Sequence, residues 1–479
     1  MTIQRYMDSF PSNDRIFNWI EEMCRLPHRR TGTPEGMQSA QYLSDQFQKI
    51  GLSDIRIEEV NGTCFDPIRY ELNVDNADYP AFVINGTLHN KPFGIFETGE
   101  ECVETEIIYL GEGRSADFED VDVAGKIVMC DCPWFDMDEC TYAEEWCSEQ
   151  AIIYDPDADK RQPLRKTDSY SPNSWPYNYI TAQKKGAAGF IGVLNDFFED
   201  GINWSEDYEE IGIAHGCDRF QIPGLWIGIT AADKIKKTLT DNSKATMKVK
   251  VNYFEGKARN VVGVLPGKTD EIILVHSHHD AVFTGAVQDA SGMSEVLALA
   301  DFFSSVPEEM RKKTMLFAGF DGHYTDYAGH KAFVNQLKTS GRKIVADVVI
   351  EHIGKDVGID EDNRPVVREE PDIRLLYVSK DEGLVKEVDR VVRDGDLRRT
   401  IIMPIKDYVP PENGLYEFQS DEVISDAYYS HLAGFPIVSM LSPQMYLFHP
   451  MDTPDMIPKG ELAKVGKAFA EIIDYLFTS

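Results

Sequence analysis

From residue 258 onward, short apolar runs alternate with longer segments of mixed polarity, and this alternation limits the folds open to the chain. Six runs have the length and composition of buried strands: EIILVHS, TMLFAGF, VADVVIEHIG, RLLYVS, TIIMPI and FPIVSML. Helical segments lie between them, including Met293 to Phe303, which has an apolar face. Strands that alternate with helices predict an α/β domain with a largely parallel central sheet.

The first part of the chain divides into a helical entry and a β-rich stretch. Residues 1 to 58 predict two helices and a strand, and Gly51 is typical of a helix end. After about residue 60, short β-like runs such as AFVING, TEIIYLG and GFIGVL are separated by Gly, Asp and Asn. The simplest organisation is a discontinuous α/β domain, residues 1–58 and 255–479, interrupted by a β-rich insert at residues 59–254.

The charge balance excludes several classes of partner. The 479 residues contain 48 Lys and Arg against 81 Asp and Glu, a formal net charge of -33. Such a surface repels phosphate backbones and anionic lipid headgroups, so we expect no nucleic-acid partner and no membrane partner. Charges at the N-terminus stand where a secretory signal needs an apolar run, which favours a cytoplasmic location. The oligomeric state stays open.

Histidine and acidic residues concentrate at the predicted strand ends of the α/β domain, where proteins of this class bind ligands. Four segments stand out: HSHHDAVFTGAVQDASG, FDGHYTDYAGH, VVIEHIG and FHPMDTPD. Period-two alternation puts His276, His278 and Asp280 on one side of their strand, where a carboxylate can orient an imidazole towards a metal. Asp289 opens the next helix and, taken alone, is equally typical of a helix cap.

The order of these motifs closely resembles the zinc aminopeptidases of peptidase family twenty-eight, which includes aminopeptidase Y and the glutaminyl cyclases. The resemblance extends to LPHRRTGTPEG near the N-terminus and to SDAYYSHLAGFPIVSML near the other end. DVDVAGKIVMCD, AQKKGAAGFIGVL and IPGLWIGI resemble a protease-associated domain, which some members carry as an insert. The resemblance implies a phosphorylase/aminopeptidase-like, three-layer α/β/α domain with a mixed, mostly parallel sheet, plus this inserted domain.

Carried over by position, the resemblance implies a set of metal ligands. His278 matches the first ligand, Asp280 its supporting acid, and Asp289 the carboxylate that bridges two metals. Glu351 stands where the family usually has Asp, and His449 matches the final histidine ligand. The implied cofactor is Zn²⁺, as one or two ions, with another divalent metal as an alternative. The implied partner is a peptide or another small-molecule substrate.

The sequence departs from the family within FDGHYTDYAGH. Members have two adjacent glutamates here, a general base followed by a ligand of the second metal, whereas this chain has His323 and Tyr324. His323 can replace the base, because an imidazole titrates near neutral pH. Alternatively, His323 or Tyr324 becomes a metal ligand, or the domain only binds a partner. The other family positions still carry side chains that can bind or support a metal, which favours catalysis. They are His278, Asp280, Asp289, Glu351 and His449.

The sequence therefore predicts a metal-dependent hydrolase that cleaves an amide- or peptide-type bond of a small substrate with a metal-activated water. Ordinary aminopeptidase activity stays open, because the glutamate pair is replaced. The alternatives are a specialised lyase or other non-peptidase activity on the same scaffold, and a binding protein without catalytic activity.

Overall fold

The computed structural model describes residues 3–98, 103–134, 150–167, 172–204, 219–405 and 423–478. The helices are α1 (Asn13–Met23), α2 (Pro34–Ile50), α3 (Tyr177–Lys184), α4 (Ile229–Thr238), α5 (Gly292–Ser305), α6 (Ala328–Thr339), α7 (Glu382–Asp394), α8 (Tyr428–Leu432) and α9 (Leu462–Leu476). The first strands are β1 (Ser53–Val74), β2 (Ala77–Tyr79), β3 (Phe82–Val83), β4 (Gly94–Glu97), β5 (Val103–Tyr109), β6 (Ile127–Cys132), β7 (Ile152–Tyr154), β8 (Gly189–Leu194) and β9 (Gly224–Gly228). The later strands are β10 (Lys244–Leu265), β11 (Thr269–His278), β12 (Lys313–Phe320), β13 (Ile344–Ile350), β14 (Lys355–Ile359), β15 (Pro365–Pro371), β16 (Arg374–Ser379), β17 (Thr400–Ile405) and β18 (Ile437–Leu441).

The α/β domain is built on a mixed sheet with the strand order β10-β12-β11-β13-β18-β16-β17. The four strands from β12 to β18 in this order run parallel, and β16 and β17 run parallel to each other. Strand β10 pairs antiparallel with β12, and β16 pairs antiparallel with β18. The six apolar runs of the sequence are β11, β12, β13, β16, β17 and β18. The predicted fold class is confirmed.

Alternate residues of β11 face two helical layers. Ile273 and Val275 belong to the apolar core that includes α5, whereas Ile272 and Leu274 pack in a second core with Phe333 of α6. Because the two cores cover both faces of the sheet, nearly every residue of these strands is apolar, and the sequence shows continuous apolar runs. The even-numbered residues of β11, including His276 and His278, thus share the α6 side of the sheet.

The carboxyl ends of three parallel strands meet at one edge of this sheet. His278 pairs with Phe320 where β11 and β12 end together, and β13 ends at Ile350, one residue before Glu351. Asp289 lies in the irregular turn that leads into α5. These ends are where parallel sheets place ligand-binding side chains.

Two long antiparallel strands carry the chain into the β-rich stretch and back. Strand β1 pairs with β10 from Ser53↔Val264 to Val74↔Ala245. The end of β10 pairs with β12, while its beginning pairs with β5. Beyond β5, strands β6, β8 and β9 continue as a parallel sheet that ends at the antiparallel strand β3. One continuous ribbon therefore joins the two sheets.

A short part of the 59–254 stretch lies on the α/β domain. Strand β7 pairs antiparallel with β17 and extends the main sheet by one strand. Arg161 forms ion pairs with Asp155 and with Glu370 of β15, which fixes this segment to the β14–β15 hairpin. The boundaries 59 and 254 stay a prediction, because the chain crosses between the two sheets more than once.

In the part of the chain that the structure describes, no helix combines the length and the apolar character needed to cross a bilayer.

Candidate metal centre

His278 is the last residue of β11, and its two ring nitrogens have different surroundings. Its Nδ1 lies 3.0 Å from the carbonyl oxygen of Asp280 and 3.2 Å from the Asp280 carboxylate. Both partners are acceptors, so Nδ1 carries the proton and Nε2 carries the lone pair. Nε2 is buried and has no hydrogen-bond partner among the described residues. Metal-ligating histidines have this arrangement, with a carboxyl group behind the ring and a bare far nitrogen.

Asp280 connects three segments of the site. It accepts hydrogen bonds from His278, from the Thr31 hydroxyl at 3.2 Å and from the main-chain N–H of Tyr324 at 3.4 Å. Burial raises the pKa of Asp280, but the hydrogen bond from His278 and the surrounding imidazoles lower it to about 2. The carboxylate therefore stays ionised, and it provides the contact that the role of supporting acid requires.

His323 lies directly against His278. The two rings are stacked, with their centroids 4.1 Å apart and an interplanar angle of 16°. His323 Nδ1 donates to Asp426 Oδ1 at 2.9 Å. One ring nitrogen of each histidine and one oxygen of Asp426 lie within 4.8 Å of one another, and all three side chains are buried. These three residues form a close set of possible metal donors at the strand ends.

Asp289 and Glu351 lie beside this set. One Asp289 oxygen accepts the main-chain N–H groups of Gly292 at 3.0 Å and His352 at 3.1 Å, so Asp289 also caps the start of α5. Glu351 Oε1 accepts the main-chain N–H of Asp426 at 3.1 Å. Burial raises the pKa of Asp289, and burial together with the charges of Asp426 and Asp289 raises the pKa of Glu351 well above its usual range. A divalent cation would relieve this repulsion, so the donor chemistry fits a metal.

Tyr324 occupies the wall of the site. Its ring meets the His278 ring edge-on, with centroids 6.1 Å apart, and meets Phe448 edge-on at 6.2 Å. The structure thus places Tyr324 next to the predicted ligands and His323 among them.

Among the described residues, His449 is not part of the close donor set of His278, His323 and Asp426. His449 Nε2 donates to the carboxylate of Asp200, at 2.9 and 3.0 Å to its two oxygens. Its Nδ1 accepts the main-chain N–H of Met451 at 3.0 Å. Both ring nitrogens are therefore engaged, one of them by a residue that lies in the β-rich stretch between β8 and β9.

Sequence reasoning assigned no role to Asp426 or His352. Asp426 follows Ser425 in SDAYYSHLAGFPIVSML, the segment near the C-terminal end to which the family resemblance extends. His352 comes directly after Glu351, donates through Nδ1 to the carbonyl oxygen of Ser442 at 3.1 Å, and has a buried Nε2 without a partner in the described part of the chain. The local signal was present in both cases, as an acid or a histidine beside a predicted strand end.

A cavity of about 680 Å³ lies where the β-rich stretch faces the α/β domain. His449 and Met451 line it from one side, and the β14–β15 turn contributes Asn363 to Pro365. The remaining lining residues come from the β-rich stretch: Asp78, Tyr79, Pro80, Phe198, Glu199, Asp200, Gly228, Thr230, Ala231 and Lys234. The cavity thus has charges of both signs in its wall and His449 at its border.

The sequence model of peptidase family M28 matches residues 260–360. The resemblance to this family is confirmed. The M28 segment contains six of the seven predicted site residues, namely His278, Asp280, Asp289, His323, Tyr324 and Glu351, whereas His449 lies beyond it. Asp426 lies beyond it as well. No curated protein matches the sequence.

Solved structures of M28-type enzymes share the fold over nearly the full chain. A peptidase M28 precursor from Shewanella amazonensis has a TM-score of 0.69 at 15% identity, covering 99% of this chain and 96% of its own. BSAP, a zinc aminopeptidase from Bacillus subtilis, has a TM-score of 0.63 at 16% identity, covering 97% and 95%. The aminopeptidase from Aneurinibacillus sp. strain AM-1 has a TM-score of 0.61 at 18% identity, covering 98% and 94%. At these identities the likeness establishes the fold.

Proposed function

We propose that this chain is a metal-dependent hydrolase that cleaves an amide- or peptide-type bond in a small substrate or peptide. The observation that carries the proposal is the buried Nε2 of His278, which has no partner among the described residues while Asp280 holds the opposite nitrogen. The match of residues 260–360 to a peptidase family supports peptide hydrolysis as the reaction class. A related fold is described as a zinc aminopeptidase, which supports zinc as the metal.

His278, Asp289 and Glu351 are the residues that we assign to the metal. When bound there, a divalent ion polarises a carbonyl group and makes a coordinated water more acidic. Asp280 accepts a hydrogen bond from His278 Nδ1, which fixes the tautomer whose Nε2 lone pair is available to the metal. Gly292 and His352 fix the Asp289 carboxylate through their main-chain N–H groups.

His323 is the proton acceptor in this proposal. Its Nδ1 donates to Asp426 Oδ1 at 2.9 Å, so its Nε2 is the nitrogen that can take up a proton. Although burial raises the pKa of Asp426, His330 and His323 together hold it well below its usual range. An ionised Asp426 stabilises a protonated His323 and fixes the orientation of the ring. The His323–Asp426 pair thus takes the place of the glutamate base found in the family.

The cavity next to His449 suits a short peptide. Its wall carries Lys234 and Arg364 as well as the acids Asp78, Glu199 and Asp200. Charges of both signs can pair with the free amino and carboxyl groups of a small zwitterionic substrate. The β-rich stretch, which we assign to a protease-associated domain, would then form part of the substrate site. A cytoplasmic location completes the proposal.

The first test measures metal content and hydrolysis on the same preparations. We expect the purified wild type to retain zinc and to release an amino acid from a panel of aminoacyl-p-nitroanilides and dipeptides. His323→Ala should lower turnover by about 100- to 10,000-fold while zinc stays bound, because a general base is lost. Tyr324→Phe is the matched control, and its turnover should change far less.

Three outcomes separate the alternatives. Loss of zinc in His323→Ala would make His323 a ligand instead of the base. Bound zinc without hydrolysis of any amide would favour a lyase or another non-peptidase reaction, which the replaced glutamate pair allows. A wild type that binds no zinc, even after incubation with the ion, would contradict the hydrolase and favour a binding protein.

A further inference from the structure

A ten-residue loop, residues 279–288, connects His278 at the end of β11 to Asp289. Eight of its ten residues are buried, and the other two are half-buried. Gly285 has a φ of 59°, and a Cβ at this position would collide with the carbonyl oxygen of Gln288. The 279–288 loop is therefore folded tightly on itself, and its conformation decides where Asp289 lies relative to His278.

Arg29 binds the carbonyl groups of this loop. Its side chain is fully buried and donates three hydrogen bonds to main-chain oxygens: Nε to His279 at 2.8 Å, Nη1 to Thr284 at 2.6 Å and Nη2 to Gly285 at 2.8 Å. The main-chain N–H of Arg29 donates to the carbonyl oxygen of Ala281 at 2.8 Å. All three side-chain nitrogens of Arg29 thus bind one loop, which a planar guanidinium can do because its N–H groups point in fixed, different directions.

Asp452 binds the N–H groups of the same loop. Its carboxylate oxygens accept the main-chain N–H of Val287 at 2.7 Å and that of Gln288 at 2.9 Å. Its carbonyl oxygen accepts the main-chain N–H of Ala286 at 3.4 Å. Asp452 is 1% exposed, so little water competes for these hydrogen bonds, and bonds to a carboxylate are stronger than those between neutral groups. Asp452 therefore fixes the two residues directly before Asp289.

We propose that Arg29 and Asp452 are positioning residues, which hold the 279–288 loop by its carbonyl and N–H groups and so keep His278 and Asp289 in place for one metal ion. The inference rests on the metal site proposed above for these two ligands. Arg29 and Asp452 come from the LPHRRTGTPEG and FHPMDTPD segments, near opposite ends of the chain. A loop that is ordered before the ion arrives loses little conformational entropy when the ion binds, so its ligands bind more tightly.

The first measurement follows the loop in metal-free protein by hydrogen exchange and mass spectrometry. Arg29→Lys keeps the charge, but one ammonium group cannot replace a planar guanidinium that reaches three carbonyl groups. Asp452→Asn replaces one of the two acceptor oxygens with a donor amide. In both variants, we expect the amide hydrogens of the 279–288 loop to exchange faster, with unchanged exchange in β17.

Two exposed residues provide matched controls. The Arg25 side chain is 72% exposed, and Asp455 is exposed as well. Arg25→Lys and Asp455→Asn make the same chemical changes a few residues from Arg29 and Asp452. Both control variants should keep the loop exchange and the zinc affinity of the wild type.

The second measurement is zinc affinity, determined by competition with a coloured chelator. We expect Arg29→Lys and Asp452→Asn to bind zinc about 10- to 100-fold more weakly than the wild type, the loss typical when a group that orients a metal ligand is removed. Co²⁺ bound in place of zinc should show a changed absorption spectrum in both variants, because its bands depend on ligand geometry. A role in folding stability alone would leave this spectrum unchanged.

Faster loop exchange together with the zinc affinity and cobalt spectrum of the wild type would overturn the proposal and leave the two residues a role in stability alone. Unchanged exchange in both variants would overturn it as well. If Arg29→Lys does not fold, Asp452→Asn is sufficient for both measurements. A wild type that binds zinc but cleaves no amide would contradict the hydrolase without affecting this inference, since neither measurement uses a substrate.

Discussion

His278 and His449 are both predicted metal ligands, yet the structure gives them opposite surroundings. His278 has a carboxylate at Nδ1, and its Nε2 has no partner among the described residues. His449 has a main-chain N–H at Nδ1 and a carboxylate at Nε2. The partner of His278 is two residues away in sequence, and the partner of His449 is 249 residues away. One histidine thus has the tautomer that suits a metal ligand, whereas the other is held by a residue of the β-rich stretch.

The comparison shows that the tautomer, and not the presence of a histidine, determines which nitrogen can bind a metal. Asp280 sets the tautomer of His278 locally, since it lies only two residues after His278, the last residue of β11. Asp200 holds His449 across the cavity between the two sheets. We therefore expect one well-occupied ion at His278 and a second position at His449 that is incomplete while Asp200 remains bound.

The largest effect on zinc affinity is expected from replacing His278, and His449 is the residue to compare with it. His278→Ala should lower zinc affinity at the site of His278, Asp289 and Glu351 by more than about 100-fold. Even the loss of a carboxylate that only orients a metal-bound histidine costs about 10- to 100-fold. His449→Ala should leave the first ion bound. Isothermal titration with zinc measures both, and His28→Ala, outside the site, is the control. Equal losses in the two variants would mean that His449 reaches the first ion.

A smaller loss of zinc affinity is expected when His278 is kept and only the hydrogen bond that orients its ring is changed. Asp280→Asn keeps the size of the side chain but replaces the acceptor that holds Nδ1 at 3.2 Å. We expect zinc affinity to fall by about 10- to 100-fold. Thr31→Val, which removes another hydrogen bond to Asp280, is the matched control and should have less effect. Unchanged affinity in Asp280→Asn would show that the carbonyl contact alone sets the tautomer.

Much of the fold could be predicted because its signals are local. The buried strands on both sides of α5 appear as apolar runs, and α2 is bounded by Thr33, which accepts the N–H of Gly36, and by Gly51 with a φ of 91°. His278, Asp280 and Asp289 could be found for the same reason, as they lie within one strand end and the turn that follows it. These features depend on short stretches of sequence.

The rest of the site depends on contacts between distant segments. His323 meets Asp426 across 103 residues, and His330 meets the same carboxylate across 96. A histidine with a distant partner has the same local pattern as a histidine without one, so neither contact could be read from the sequence. The pairing of β7 with β17 is a further example, because β7 is only three residues long.

The hydrogen bond between Asp200 and His449 can be removed by a substitution that leaves the ligands of the first ion, His278, Asp289 and Glu351, unchanged. Asp200→Ala should free His449 Nε2 and raise the affinity for a second zinc ion by about fivefold, which corresponds to one hydrogen bond. Glu199→Ala is the matched control, because Glu199 lines the same cavity and accepts from Thr230 instead. Titration past one equivalent of zinc measures the change. Weaker binding of the second ion would show that Asp200 is itself a ligand or orients one.

The last prediction concerns the pH dependence of stability at a buried carboxyl group to which we assign no metal role. Burial raises the pKa of Glu295 in α5 well above its usual value, and neither of its oxygens has a partner among the described residues. The protonated form is favoured in the folded state. Its contribution to stability is therefore complete below the unfolded pKa, near 4.5, and is lost as pH rises through the folded pKa.

Glu295→Gln should therefore leave stability nearly unchanged near pH 4.5 and increase it at alkaline pH. The difference in unfolding free energy between variant and wild type should grow by about 1.4 kcal/mol per pH unit until the folded pKa is reached. Urea unfolding at several pH values measures this, with the exposed Glu309→Gln as the control. The result should not depend on zinc, in contrast to Glu351, whose raised pKa also reflects Asp426 and Asp289. A zinc-dependent difference for Glu295 would mean that burial alone does not explain its pKa and that the metal site extends into α5.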